Sequence, residues 1–249
     1  MEIKVWHQVM EWNQDVSAQV RRTLKEHKVC LINVMGSPGA GKTSLITALI
    51  ARLREEFSIG VIEGDITGQI DAEKIAALKI PAVQLNTDGA CHIEAMSIQH
   101  ILPDFDLDSL DILFVENIGN LVCPAEFDIG ENFRITVLSI PEGDDKVAKY
   151  PLMFTDTSCL VLNKCDVLPY FDFDVDRAAA DYKGVNPEGR CSRYPAAPGT
   201  VWRNSPPTSL PRCGTPGRRR MKRRHFLIEG IVQGVGFRPS FTGRPSALA

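Results

Sequence analysis

The sequence predicts an α/β fold, a mostly parallel sheet flanked by helices. Three observations predict it. Short apolar runs alternate with helical patterns along most of the chain, and that alternation builds parallel strands covered on both faces. A glycine-rich stretch, GSPGAGKT, spans Gly36–Thr43 between the first apolar run and a helical pattern. The polar motifs fall at the carboxyl ends of the apolar runs, where open α/β sheets bind their ligands. Together they specify a P-loop NTPase.

Residues 7–28 read as an amphipathic helix, with Val9, Trp12, Val16, Val20 and Leu24 at three- and four-residue spacing. The run Val29–Met35 is the first strand, and Ser44–Leu53 continues as a helix. Further strands are predicted over 58–65, 81–86, 111–116, 134–140 and 158–163, with helices over 68–79, up to about Ile101, and over 172–184. The pattern then stops. Residues 190–220 carry six prolines and no acidic residue, a composition too poor in apolar surface to order itself, so they read as disordered.

The phosphate site is read from Gly36–Thr43. Glycines 36, 39 and 41 free the backbone, so that consecutive N–H groups of Gly36, Ser37, Gly39, Ala40, Gly41 and Ser44 can face an anion. The following helix adds its positive end. Lys42 is placed to reach the β- and γ-phosphates and Thr43 to hold Mg2+. Asp65 and Glu116 end the second and fourth strands, the positions for acids that hold the metal or its waters. Lys42, Thr43, Asp65 and Glu116 are therefore the candidate catalytic set, and Thr43 and Asp65 the candidate Mg2+ ligands.

Base choice is read from Asn163-Lys164-Cys165-Asp166, after the sixth strand. This N-K-x-D pattern resembles the guanine signature of GTPases, so the cofactor expected is GTP with Mg2+. Cys91-His92 follows the third strand and Cys123 follows the fourth. Two thiolates and an imidazole suit Ni2+ or Zn2+ and leave a closed tetrahedral site one ligand short, to be supplied by water or across a two-fold axis. Spacing alone leaves the alternative of buried apolar cysteines open. Cys30, Cys159 and Cys165 read as core or neutral.

Composition narrows the classes. At 44% hydrophobic and 24% charged the chain is ordinary for a globular protein. Seven cysteines scattered over 249 residues do not form a disulfide scaffold. With no apolar run of membrane-spanning length and no signal peptide, the expected location is the cytoplasm. The net charge of −3 conceals a break, because residues 1–189 hold 16 basic and 30 acidic side chains while residues 190–249 hold 12 and 1. The basic tail lacks aromatic interleaving, which argues against nucleic-acid binding.

The stretches GSPGAGKTSL, EGDITGQIDAEKI, NTDGACHIEA, FVENIGNLVCPAEFDIGE, SIPEGDDKVAKYP and VLNKCDVLPYFDFDVD resemble the HypB family of hydrogenase nickel-incorporation GTPases over residues 7–189. That resemblance implies a SIMIBI-type GTPase, with slow intrinsic turnover, that hands nickel to a hydrogenase. It implies that Cys91, His92 and Cys123 hold the metal, that GTP drives homodimerisation, and that Lys146 is a candidate for contacts across the dimer. The implied partners are a maturation chaperone and the hydrogenase large-subunit precursor, with no membrane. Urease-type nickel GTPases share the phosphate loop and NKxD but not the Cys123 context or the EGDDK stretch.

The domains expected are an N-terminal helix over 1–28, a P-loop GTPase domain over 29–189 truncated of its last strand and helix, a disordered segment over 190–220, and a fragment over 221–249. In that fragment MKRRHFLIEGIVQGVGFRP resembles the opening of the acylphosphatase-like domain of HypF carbamoyltransferases. The acid-free segment before it fits out-of-frame translation, so a frameshifted, non-functional product is the alternative, and impaired GTP hydrolysis is expected from the altered ending.

Overall fold

The computed structural model describes residues 2–65, 79–87 and 89–193, with the side chains of residues 2–10, Asp65 and Arg193 left aside. Helix α1 (Glu2–His27) leads into strand β1 (Cys30–Gly36), and helix α2 (Lys42–Leu53) follows the glycine-rich loop. Then come β2 (Ile59–Asp65), β3 (Ala82–Asn86), α3 (Ala95–Ile101), β4 (Ile112–Glu116) and the short α4 (Cys123–Glu126). The described residues close with β5 (Phe133–Ser139), α5 (Lys146–Lys149), α6 (Pro151–Thr155), β6 (Cys159–Asn163), α7 (Val175–Val185) and β7 (Arg190–Arg193). The helix expected over 68–79 lies almost wholly outside the described residues.

The described strands form one sheet in the order β3-β2-β4-β1-β5-β6-β7, and each pairing is parallel. The register aligns the strand ends: Glu63 pairs with Glu116, Asp65 with Asn86, and Ser139 with Asn163. Because the chain leaves β1 toward β2 on one side and later returns to β5 on the other, the strand order reverses beside β1, and the phosphate loop opens at that point.

Alternation along the strands divides the core. In β4, Ile112 and Phe114 pack under α2 with Leu45, Leu49 and Ile50, while Leu113 and Val115 face α1 and α3 with Val20, Leu24 and Ile98. A third apolar cluster joins Leu138, Leu160 and Leu162 to Phe154 and the fully buried Tyr182 of α7. Each interior strand thus carries buried apolar residues on both faces, as a doubly covered sheet requires.

Two expectations are corrected here. Trp12, expected on the buried stripe of α1, is 52% exposed, while Val16, Val20 and Leu24 are buried and Asn13 takes the inward position beside it, bonded to the Ala95 and Asp128 backbones; the side chain of Val9 lies outside the described residues. Residues 190–193, expected to be disordered in a domain without its last strand, form β7, paired with β6 from Cys159↔Arg190 to Leu162↔Arg193. Its order comes from backbone hydrogen bonding to a buried neighbour and not from its own polar composition. The rest of the 190–220 segment and the 221–249 fragment lie outside the described residues. None of the described helices is long and apolar enough to cross a membrane.

Candidate functional site

The phosphate loop takes its shape from β1 and α2. Gly41, the residue before α2, has φ +96, and a Cβ there would lie 2.2 Å from the Asn163 side-chain amide. Only glycine fits both the left-handed backbone and that approach. Asn163 donates to the Ala40 carbonyl at 2.7 Å, and Lys164, itself at φ 58, donates to the Gly39 carbonyl at 2.7 Å. The NKxD turn is thereby tied directly to the phosphate loop. Asp166 sits exposed in the first turn of the 3-10 segment Cys165–Tyr170.

Beside the loop lies a cavity of about 450 Å3 lined by Lys42, Thr43, Glu63, Glu116, Asn117 and Lys164, among others. The Thr43 hydroxyl donates to Glu116 at 2.8 Å. The Lys42 ammonium donates to the carbonyls of Gly36 at 3.4 Å and Ser37 at 3.2 Å. Ser37 donates to Glu142, whose other oxygen accepts from the Ser139 backbone at 2.7 Å. Thus Lys42, Thr43, Glu116, Gly36–Ser44, Asn163 and Lys164 converge as the sequence predicts. Of Asp65 only the backbone is described, at the end of β2 beside the same cavity.

Glu63 was not legible in the sequence as a site residue. It stands two residues inside β2, where an acid interrupts an apolar run, and its register opposite Glu116 brings both carboxylates to the cavity. An acid at a buried strand position was the available signal. A hydroxyl and two carboxylates around one cavity are hard oxygen donors, the set that Mg2+ takes.

The second constellation lies across the loop after β4. One ligand atom from each of Cys91, His92 and Cys123 lies within 4.8 Å of the others. The Cys91 sulfur is 3.5 Å from His92 Nδ1, so that nitrogen faces the thiols. The far nitrogen, Nε2, is buried and makes no hydrogen bond, with the Glu94 carboxylate 3.6 Å away, on the side from which a carboxylate orients a metal-bound imidazole once it closes to bonding distance. Phe127 stacks on the imidazole with centroids 3.9 Å apart. A hydrogen bond with Cys123 raises the Cys91 thiol above its usual pKa, and burial lowers that of His92 despite Glu94. Protons shared between neighbouring thiols are the ones a thiophilic metal displaces.

Buried asparagines brace this arrangement. Asn117 accepts from the Ile93 backbone at 3.3 Å and donates to Asn33 of β1 at 3.2 Å. Asn33 reaches Glu131, which is held by Arg134, and Arg134 donates to the carbonyls of Ala125 and Phe127 at 3.4 Å. Burial raises the pKa of Glu131 against the opposing pull of Arg134. Of the remaining cysteines, Cys30 and Cys159 are buried in strands, as expected. Lys146 begins α5 and contacts Asp145 at 3.3 Å.

Comparison with known proteins places this geometry. The family model for the CobW/HypB/UreG nucleotide-binding domain matches residues 30–193. A curated relative, hydrogenase maturation factor HypB of Escherichia coli strain K12, is 44% identical over 180 residues, 72% of this chain. The chain spans 62% of that relative's length. The crystal structure of hydrogenase maturation factor HypB from Archaeoglobus fulgidus superposes with a TM-score of 0.70 at 37% identity, covering 74% of this chain and 89% of that one. The structure of HypB from Helicobacter pylori in complex with nickel gives 0.68 at 34% identity, covering 73% and 85%. Fold, phosphate loop and family model agree, and the chain belongs to the CobW/HypB/UreG family of nucleotide-binding domains, on its HypB branch.

Proposed function

We propose that this chain is a cytoplasmic, GTP-hydrolysing nickel metallochaperone for hydrogenase maturation, in which the nucleotide state governs metal transfer. The observation that carries the proposal is the Cys91–His92–Cys123 cluster, within 4.8 Å, one limb of which follows the Asn117–Gly119 lining of the phosphate cavity. Similarity to the Helicobacter pylori HypB crystallised with nickel supports nickel as the cargo, and the same donor set also suits Zn2+.

The residues divide the work. Backbone N–H groups of Gly36–Ser44 and the Lys42 ammonium bind the phosphates. Asn163 and Lys164 hold the guanine turn against the loop, and Asp166 selects the base. Thr43, Glu116, Glu63 and Asp65 are the residues that would hold Mg2+, which when bound offsets the charge of the phosphates. Hydrolysis by the isolated chain is slow, well below about one turnover per second; among the described residues that line the cavity there is no glutamine to position water. The loops after β2 and β4 respond to the γ-phosphate and pass its presence to Cys91 and Cys123. The chain acts as a GTP-dependent homodimer, with Lys146 reaching across it, and delivers the metal to a maturation chaperone and the hydrogenase large-subunit precursor. A relative from Helicobacter hepaticus named hydrogenase/urease maturation factor, 39% identical over 183 residues, favours a urease precursor as a second recipient.

Isothermal titration of GTP–Mg2+ and Ni2+ into the purified chain tests the proposal. The expected result is saturable binding of both, with nickel affinity lowered at least about tenfold by Cys123→Ser. Failure to bind nickel, or an unchanged affinity in the variant, would overturn it.

A further inference from the structure

One residue bridges the phosphate loop, through its backbone, and both limbs of the metal cluster, through its side chain. The loop after β4 runs Asn117-Ile-Gly-Asn120 before reaching Cys123, and it lies against the phosphate loop. A Cβ on Gly119 would lie 2.8 Å from the backbone N and Cα of Pro38, so the two loops touch backbone to backbone and cannot shift independently. Asn120 pairs with Gly36 in an antiparallel bridge, its N–H donating to the Gly36 carbonyl at 3.1 Å. That carbonyl also accepts from Lys42 at 3.4 Å. One oxygen therefore serves both the ammonium that answers to phosphate and the backbone of Asn120.

The Asn120 side chain carries the link onward. Its Oδ1 accepts from the Val122 N–H at 2.8 Å, one residue before Cys123. This bond fixes the orientation of the amide, because only the oxygen can accept. The amide nitrogen then faces the other way and donates to the Cys91 carbonyl at 3.4 Å. The two cysteines come from segments more than thirty residues apart, and Asn120 contacts the backbone of both segments.

Resting on the reading that the cluster takes nickel, we propose that Asn120 is the positioning residue through which the phosphate loop sets the spacing of Cys91 and Cys123. When Lys42 turns toward a phosphate, the Gly36 carbonyl is left to Asn120 alone, and the contact tightens. The shift reaches Val122 and Cys91 through the two ends of one rigid, planar amide. Asn120 touches neither nucleotide nor metal in this scheme; it transmits.

The test is nickel titration of the full chain, followed by thiolate-to-nickel charge-transfer absorbance, at saturating Mg-GDP and at saturating Mg with a non-hydrolysable GTP analogue. The wild-type chain should show affinities that differ by at least about fivefold. In Asn120→Ala that ratio should fall toward one. Asn120→Asp keeps the acceptor for Val122 but sets a second oxygen against the Cys91 carbonyl, so it should also lose the ratio. Asn120→Ala weakening nickel equally in both nucleotides, with the wild-type ratio kept, would make Asn120 a mere prop and overturn the inference while leaving the metal site intact. A wild-type chain with no nickel-dependent absorbance would instead overturn the reading of the cluster, and this inference with it.

Discussion

The carboxylate of Asp166 can accept two hydrogen bonds at once, from the N1–H and 2-amino groups of guanine, and it is exposed where a base can reach it. Asp166→Asn replaces one acceptor with a donor. GTP affinity should fall by roughly a hundredfold or more, while xanthosine triphosphate, which carries an oxygen in place of the 2-amino group, should gain. Competition binding with the two nucleotides checks this, and unchanged GTP affinity would remove Asp166 from the base site. At this scale the sequence was legible where a residue sits in a short local pattern. Lys42, Thr43, Asn163 and Lys164 are such residues, and they meet as expected. It was less legible where a role depends on register or on a loop folding back. Glu63 reads as an interruption of a strand until its pairing with Glu116 is seen. Asn117 and Asn120 read as loop polarity until their partners, Ile93 and Cys91, arrive from a different segment.

Elements were legible in proportion to their burial. Strands β1, β4, β5 and β6 carry apolar residues on both faces, and their expected bounds hold to within about a residue. Strand β7, Arg190-Cys-Ser-Arg193, has no apolar alternation and is ordered by its pairing with β6. Helix α7 is held locally at its start: Asp174 at its N-cap accepts from the N–H groups of Asp176 and Arg177, both at 2.9 Å. Asp174→Ala should destabilise the domain by about 1 kcal/mol, lowering Tm by roughly 2–4 °C. Thermal melting reads this directly, and an unchanged Tm would mean that α7 is held wholly by Tyr182 and the apolar face around it.

At the scale of the whole molecule, the sheet brings two chemistries to one edge. The phosphate loop leaves β1, the NKxD turn leaves β6, and the two segments that form the Cys91–His92–Cys123 cluster leave β3 and β4. Strand order sets β4 directly beside β1, so the loop that carries Cys123 must pass over the phosphate loop on its way out. In the proposed function that adjacency is the physical route from nucleotide state to the Cys91–His92–Cys123 cluster. The helix α1 is part of the same frame: Asn13 accepts from the Ala95 N–H at 3.2 Å and donates to the Asp128 carbonyl at 2.9 Å, bracing the segments that follow His92 and Cys123. The measurement that tests the account most directly is nickel affinity with Mg-GDP and with a non-hydrolysable GTP analogue, on the wild-type chain. The account predicts affinities at least about fivefold apart, and equal affinities would contradict it.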